Sequence, residues 1–157
     1  MTDKTVEPVR KQVLVDIPQP QAFTAFTENI DAWYPREYRV GKSELKKAVL
    51  ETKVNGQFYG IGEDGTRGDW ATVLAWEPPN RILFAWHINA SFQLDPSFVT
   101  EVEISFVPEG KDKTRVTLEH RNLEKFGENA ETIRKRLDSD GAWAFQLKKF
   151  GLFVNKA

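Results

Sequence analysis

Two histidines are the side chains of this sequence best suited to bind or activate a small molecule. His120 closes an alternating segment in which Val116 and Leu118 lie on the same side of a predicted strand, so its imidazole is predicted to face inward. An inward imidazole donates or accepts a hydrogen bond at the polar end of a ligand. The alternative is a structural histidine bonded within the protein, since buried polar groups are normally paired.

The remaining chemistry suggested by residue types is sparse. His87 follows Trp86 in another predicted strand, and the pattern does not assign its face. The two histidines have no recognised ligand spacing, so no metal site is expected. The absence of cysteine removes thiolate nucleophiles, disulfides and thiolate metal ligands, and no nucleophile elbow, phosphate loop or dinucleotide fingerprint occurs. The sequence therefore predicts no catalytic residue and no cofactor.

Strands and two short helices would position these side chains. Residues 9–17 alternate as a strand, and prolines 18 and 20 precede apolar residues at helical spacing up to residue 35. About five strands follow between residues 43 and 121, separated by turn sequences at Asn55-Gly56, Asp64-Gly65, Pro78-Pro79-Asn80 and Glu109-Gly110. Strict alternation in this region puts Trp70, Thr72, Leu74 and Trp76 on one face of a strand.

The C-terminal segment has the period of an amphipathic helix. Apolar side chains recur from Ala130 to Val154, which predicts one helix of about 25 residues and roughly 37 Å, weak or kinked at Gly141. The alternative is a break at Asp138-Ser139-Asp140-Gly141, with Asp140 capping a second helix. This order of elements predicts an α+β fold in which a curved antiparallel sheet of about six or seven strands encloses a long C-terminal helix and leaves a cavity at one end.

Composition bounds the remaining possibilities. The 157 residues fit a single domain over residues 1–157, with a core at about 9–154. The net charge of −1 and the mixed signs argue against nucleic-acid binding. The first residues do not form a signal peptide, and no apolar run approaches the roughly 18 residues of a membrane span, so a cytoplasmic location is predicted.

Three passages carry a resemblance to a known family: Trp76-Glu77-Pro78-Pro79-Asn80-Arg81 with Leu83-Phe84-Ala85-Trp86, then Thr114 to Arg121, and Gly141-Ala142-Trp143 with Leu147 and Phe150. In these the sequence resembles the START-like (SRPBCC) superfamily, within it the branch named after the C-terminal domain of the activator of heat-shock protein 90 ATPase. The resemblance implies the helix-grip fold, also called birch-pollen-allergen-like. It implies less about function, because lipid carriers, hormone receptors and polyketide cyclases share this fold.

The leading hypothesis is noncatalytic binding of a hydrophobic or aromatic small molecule, or a lipid, between the sheet and the C-terminal helix. Aromatic residues make up 12% of the chain, with 11 Phe and 5 Trp, although core packing explains the same content. One alternative is a cyclase-, isomerase- or hydrolase-like enzyme that uses the same pocket; the other is a chaperone-associated interaction module. The predicted cavity residues are Trp70, Phe84, Trp86, Phe106, Leu118, His120, Ile133, Leu137, Ala144 and Leu147.

Overall fold

An antiparallel sheet forms most of the molecule. The computed structural model describes residues 6–37, 39–40, 43–91 and 93–155. Its strands follow the spatial order β1-β8-β7-β6-β5-β4-β3-β2. They are β1 Val9–Val15, β2 Arg39–Val40, β3 Ser43–Leu50, β4 Gln57–Gly62, β5 Arg67–Glu77, β6 Arg81–Trp86, β7 Thr100–Pro108 and β8 Thr114–Arg121. Seven of the eight have at least six residues, and β2 has two.

The best-patterned strands pair as their alternation predicts. Ile104 of β7 lies opposite Leu118 of β8, and both side chains are buried. Their neighbours on the other face of the sheet are only partly covered, as expected when one face meets a core and the other meets water. The predicted turn sequences connect successive strands, and Asn55, Gly65 and Gly110 have the positive φ values that such turns require. The α+β helix-grip prediction is confirmed.

Irregular pairing bends the sheet around its core. The register shifts between Leu45 and Lys47, between Phe58 and Tyr59, and between Val73 and Ala75. A β-bulge bends its strand and increases the local twist, so these three irregularities, with one extra residue on β3 and two on β5, favour a half-barrel. They also break strict alternation in β5.

The faces of β5 consequently differ from those predicted. Trp70 and Ala71 are both buried although they are neighbours, and Leu74 is exposed rather than on the face of Trp70. Because a bulge inserts a residue into one strand, it exchanges the faces of the residues beyond it. The prediction that Trp70 and Leu74 share a face was wrong for this reason.

Two short helices follow β1, as predicted: α1 Gln19–Thr27 and α2 Ile30–Trp33. Pro20 lies in the first turn of α1, where its missing N–H costs no helical hydrogen bond. The rings of Phe23 and Phe26 from α1 pack edge-on against Phe106 of β7, with centroids 5.0 and 5.5 Å apart. This aromatic cluster fills one end of the half-barrel.

The C-terminal helical segment is divided in two. After β8, a 3-10 segment at Leu123–Asn129 leads into α3 Ala130–Leu137, and α4 Trp143–Val154 follows a non-helical stretch. The prediction of one continuous helix was therefore wrong at residues 138–142. Asp140 does not cap α4, which begins after Ala142 without a side-chain cap.

Local chemistry and packing both account for the break. The Ser139 hydroxyl donates to the carbonyl of Arg136 at 2.6 Å. Such bonds from a side chain to the nearby backbone compete with the hydrogen bonds of a helix and favour a turn. Lys11 of β1 holds Asp138 in an ion pair at 2.9 Å, and Gly151 lets α4 lie against Val13 of the same strand. None of the described helices is long and apolar enough to cross a membrane.

Candidate functional site

A cavity of about 460 Å³ opens where the helical segment is broken. Residues from both sides of the break form one wall, and the strands β5, β6 and β8 form the opposite wall. Arg136, Ser139 and Gly141 are exposed and lie at its rim. The lining residues are Tyr34, Trp70, Trp86, Ile88, Asn89, His120, Phe126, Ile133, Arg136, Leu137, Ser139, Gly141, Ala142, Trp143 and Gln146.

Aromatic rings make up much of the cavity wall. Trp86 and Trp143 meet edge to face with their centroids 5.0 Å apart, and Tyr34 stacks on Trp70 at 5.4 Å. Such pairs are held by both their buried area and the quadrupoles of their rings. The wall is therefore largely apolar and rich in flat surfaces.

His120 belongs to a buried chain of polar side chains at this wall. The indole N–H of Trp143 donates to its Nδ1 at 3.0 Å, and its Nε2 lies 2.8 Å from the Thr100 hydroxyl. Because an indole nitrogen only donates, Nδ1 must be the acceptor, and Nε2 carries the proton and donates to Thr100. Burial lowers the pKa of His120 to about 3, since the charged ring would lose its hydration. The imidazole is neutral, and both of its nitrogens are bonded within the protein.

His87 anchors the loop beside the cavity. Its Nδ1 lies 3.1 Å from the carbonyl of Phe98 and donates to it, and its Nε2 lies 2.9 Å from the Thr72 hydroxyl. The ring of Phe98 in turn packs on Phe126 of the cavity wall, with centroids 5.2 Å apart. Among the described residues, no group of three His, Asp or Glu side chains is arranged to hold a metal ion.

The ionic side chains of β7 and β8 lie on the opposite, outer face of the sheet. Arg121 bonds to Glu101 at 3.0 Å and to Glu103 at 3.1 Å, and Arg81 also pairs with Glu103. These partly exposed pairs are part of the solvated surface. The cavity itself has one charged residue in its described wall, Arg136 at the rim.

The structure brings half of the predicted cavity residues together. Trp70, Trp86, His120, Ile133 and Leu137 line the cavity. Phe84, Leu118 and Leu147 instead surround a separate inner void of about 20 Å³, where the sheet meets α4.

Two predicted residues face other environments. Phe106 does not line the cavity, because it packs against α1 in the aromatic cluster described above. Ala144 lies in a surface groove beside β1 together with Val13, because the break sets the rotation of α4 independently of α3. One helical period extended over residues 130–154 therefore predicts the wrong face for Ala144, which follows the break.

Sequence reasoning missed Gln146, Tyr34 and Phe126, all of which line the cavity. The signal for Gln146 was available: it lies three residues after Trp143 and directly before Leu147, so it interrupts the apolar stripe of α4 with an amide. Tyr34 and Phe126 come from irregular segments, and no periodicity assigns their faces.

Comparison with known proteins agrees with this architecture. A family model described as Activator of Hsp90 ATPase homolog 1-like protein matches residues 16–150. The chain belongs to this family. The Hsp90 activator-like match and the solved structures confirm the resemblance to the START-like (SRPBCC) superfamily. No curated protein matches the sequence.

Several solved structures resemble this Hsp90 activator-like chain over nearly its whole length. An anthrahydroquino-γ-pyrone synthase, Txn09, solved in complex with SUM, is 32% identical with a TM-score of 0.64; the match covers 96% of this chain and 98% of that one. The self-sacrificing resistance protein CalC from Micromonospora echinospora is 27% identical with a TM-score of 0.70, over 96% and 95% of the two chains. A protein from Nitrosomonas europaea is 11% identical with a TM-score of 0.67, over 96% and 95%, and shows the shared fold alone.

Proposed function

We propose that this protein binds a flat, polycyclic aromatic small molecule in the cavity at the helix break. The observation that carries the proposal is the cavity of about 460 Å³ whose walls include the rings of Trp70, Trp86 and Trp143. Its volume falls within the roughly 300–1,000 Å³ typical of small-molecule sites. Flat aromatic surfaces and a single charged side chain in the described wall suit a planar ring system better than a sugar or a nucleotide.

The comparisons support this class of ligand. Txn09 is named as a synthase of an anthrahydroquino-γ-pyrone, a fused aromatic compound, and it shares 32% of its residues with this chain over nearly the full length. The neutral state of His120 and the apolar lining also favour an uncharged ring system at the buried end of the cavity. The absence of cysteine is compatible with a cytoplasmic site of action, which is part of the same proposal.

Fluorescence titration tests the proposal directly, because three tryptophans line the cavity. We expect 9,10-anthraquinone to quench tryptophan emission saturably with one equivalent per chain, and palmitic acid not to displace it. Saturable binding of palmitic acid with displacement of anthraquinone would identify a lipid site instead. Absence of binding by any hydrophobic probe would contradict the proposal.

A synthase activity in the same cavity is the second candidate function, favoured by the similarity to Txn09. His120 is a poor proton acceptor for such a reaction, because its pKa of about 3 lies far below neutral pH. Catalysis here would therefore rely on holding a reactive chain folded for ring closure in a dry cavity. Incubation with the substrate of Txn09, followed by chromatography for a ring-closed product, separates an enzyme from a binding protein.

Chaperone association is the third candidate, suggested by the description of the family. A docking surface for another protein would require a large contiguous apolar patch. The most exposed large apolar side chains of the described residues come from different elements rather than one: Leu14, Val54, Leu74, Leu94, Val107 and Leu152. A pull-down with heat-shock protein 90 tests this role, and retention of the chaperone on wild-type protein with an empty cavity would support it over ligand binding.

A further inference from the structure

We infer that Gln146 is the residue that orients the ligand, by hydrogen bonding to an oxygen atom on its ring system. This inference rests on the proposed binding function and adds the identity of the recognition group. Gln146 lies on the inner face of α4 and lines both the cavity and the small inner void. It therefore lies where the cavity ends and the packed core begins.

The other polar groups of the wall are already committed to the protein. The indole N–H of Trp143 bonds to His120, whose second nitrogen bonds to Thr100. Asn89 accepts backbone hydrogen bonds within its own loop, and the Ser139 hydroxyl donates to Arg136. A ligand that recruited these groups would have to break bonds that hold the loop and the helix break together.

Gln146 differs from these groups. Its backbone N–H bonds to the carbonyl of Ala142, but its side-chain amide makes no hydrogen bond to any residue that the structure describes. The side chain is half-buried beside Trp143 and Leu147 in an otherwise apolar stripe. A ligand that covers this amide without offering a hydrogen bond leaves its donor and acceptor unpaired, so a ligand with an oxygen at this point is selected over one without.

The chemistry of the amide defines which ligands it recognises. Its NH₂ group donates to a ring carbonyl, and its carbonyl accepts from a phenolic hydroxyl. Rotation of the amide therefore lets the same side chain bond to either group of the ligand. Gln146 is therefore suited to the quinone and the hydroquinone form of the same ring system. It is less suited to a carboxylate, because it brings no positive charge to the buried end of the cavity.

Two probes of the same shape isolate this role: 9,10-anthraquinone and anthracene share three fused rings and differ in the two carbonyl oxygens. We expect Gln146→Met to weaken binding of anthraquinone about ten-fold, because the ring carbonyl loses its hydrogen-bond partner, and not to weaken binding of anthracene, because the amide that anthracene would leave unpaired is gone. Gln21→Met is the matched control, because Gln21 is exposed on α1 and does not line the cavity. It should change neither affinity.

The possible outcomes separate this inference from the proposed function. If Gln146→Met changes both affinities equally or neither, the orienting role of Gln146 is wrong while the binding function stands. If wild-type protein binds neither probe, both proposals fall. Thermal melting of Gln146→Met and of a second variant, Gln146→Leu, establishes folding; both should melt near wild type because the amide bonds to no described residue.

Discussion

Trp143, the first residue of α4, donates its indole hydrogen to Nδ1 of His120 in β8 at 3.0 Å. This bond ties the start of the last helix to the end of β8, directly at the wall of the cavity. Through its other nitrogen, Nε2, His120 donates a hydrogen bond to the Thr100 hydroxyl of β7. Three elements thus meet in one buried polar chain, which holds the cavity wall in place.

Replacement of His120 by alanine should destabilise the fold. The change leaves the Trp143 indole and the Thr100 hydroxyl without their buried partner, and each unpaired group costs about 1–3 kcal/mol. We expect the free energy of unfolding in urea to fall by about 2–4 kcal/mol. Glu119→Ala, on the outer face of the same strand, should cost less than about 1 kcal/mol. An unchanged stability would contradict the structural role of His120 in this buried polar chain.

The stability of the protein should depend on pH through His120. Burial lowers its pKa from the ordinary 6.5 to about 3, so the unfolded chain binds a proton at a higher pH than the folded one. The contribution of His120 to the free energy of unfolding is complete above pH 6.5 and is lost as the pH falls towards 3. Over this range the free energy of unfolding decreases by at most about 1.4 kcal/mol per pH unit.

Urea unfolding at pH 7, 6 and 5 measures this slope, since most carboxylates remain ionised over that range. The His120→Asn variant supplies the control, because it removes this imidazole and changes no other ionisable side chain. We expect its free energy of unfolding to vary less with pH than that of wild type. Equal slopes in the two proteins would mean that His120 is protonated in the folded state as readily as in the unfolded state.

A bulky side chain at the rim of the cavity should exclude the ligand. Leu137 is half-buried on α3 and lines the cavity, so Leu137→Trp fills part of its volume. We expect anthraquinone to bind this variant at least ten-fold more weakly. Leu74→Trp makes the same change on the exposed face of β5 and should bind as wild type does. Equal affinities for all three proteins would place the ligand elsewhere.

Two glycines near the cavity should respond oppositely to alanine. A Cβ on Gly60 of β4 would collide with the ring of Trp70 and approach Leu45, whereas one on Gly141 meets no atom within 4 Å. We expect Gly60→Ala to cost about 1–3 kcal/mol and to weaken anthraquinone binding by displacing Trp70. Gly141→Ala should be neutral or stabilise by up to about 1 kcal/mol. Thermal unfolding and the same titration measure both, and a stable Gly60→Ala variant with normal affinity would contradict the assignment of Trp70 to the wall.

The strongest periodic signals in the sequence predicted the structure correctly. Alternation put Val116, Leu118 and His120 on one covered face of β8, and all three are buried. Paired antiparallel strands preserve this alternation wherever their register is regular. Turn dipeptides such as Asn55-Gly56 ended the strands at the right places because only a few residues adopt the backbone angles of tight turns.

Prediction failed where the backbone departs from regular geometry. The extra residue of β5 at Trp70 put Leu74 in solvent, and the break after Leu137 turned Ala144 towards β1. Pairing with β4 produces the first departure, and the ion pair of Asp138 with Lys11 contributes to the second; the local pattern contains neither contact. Extending one helical period across residues 138–142 therefore assigned a wrong environment to part of the site.

The sequence by itself determined the class of fold, the single covered face of the sheet and the inward position of His120, because these follow from local periodicity. Only the tertiary structure decided that His120 is bonded on both sides, that the cavity opens at the helix break and that Gln146 faces into it. Hydrogen-bond partners and cavities depend on distances between residues far apart in the chain. Those distances are set by how the bulged sheet and the two C-terminal helices pack together.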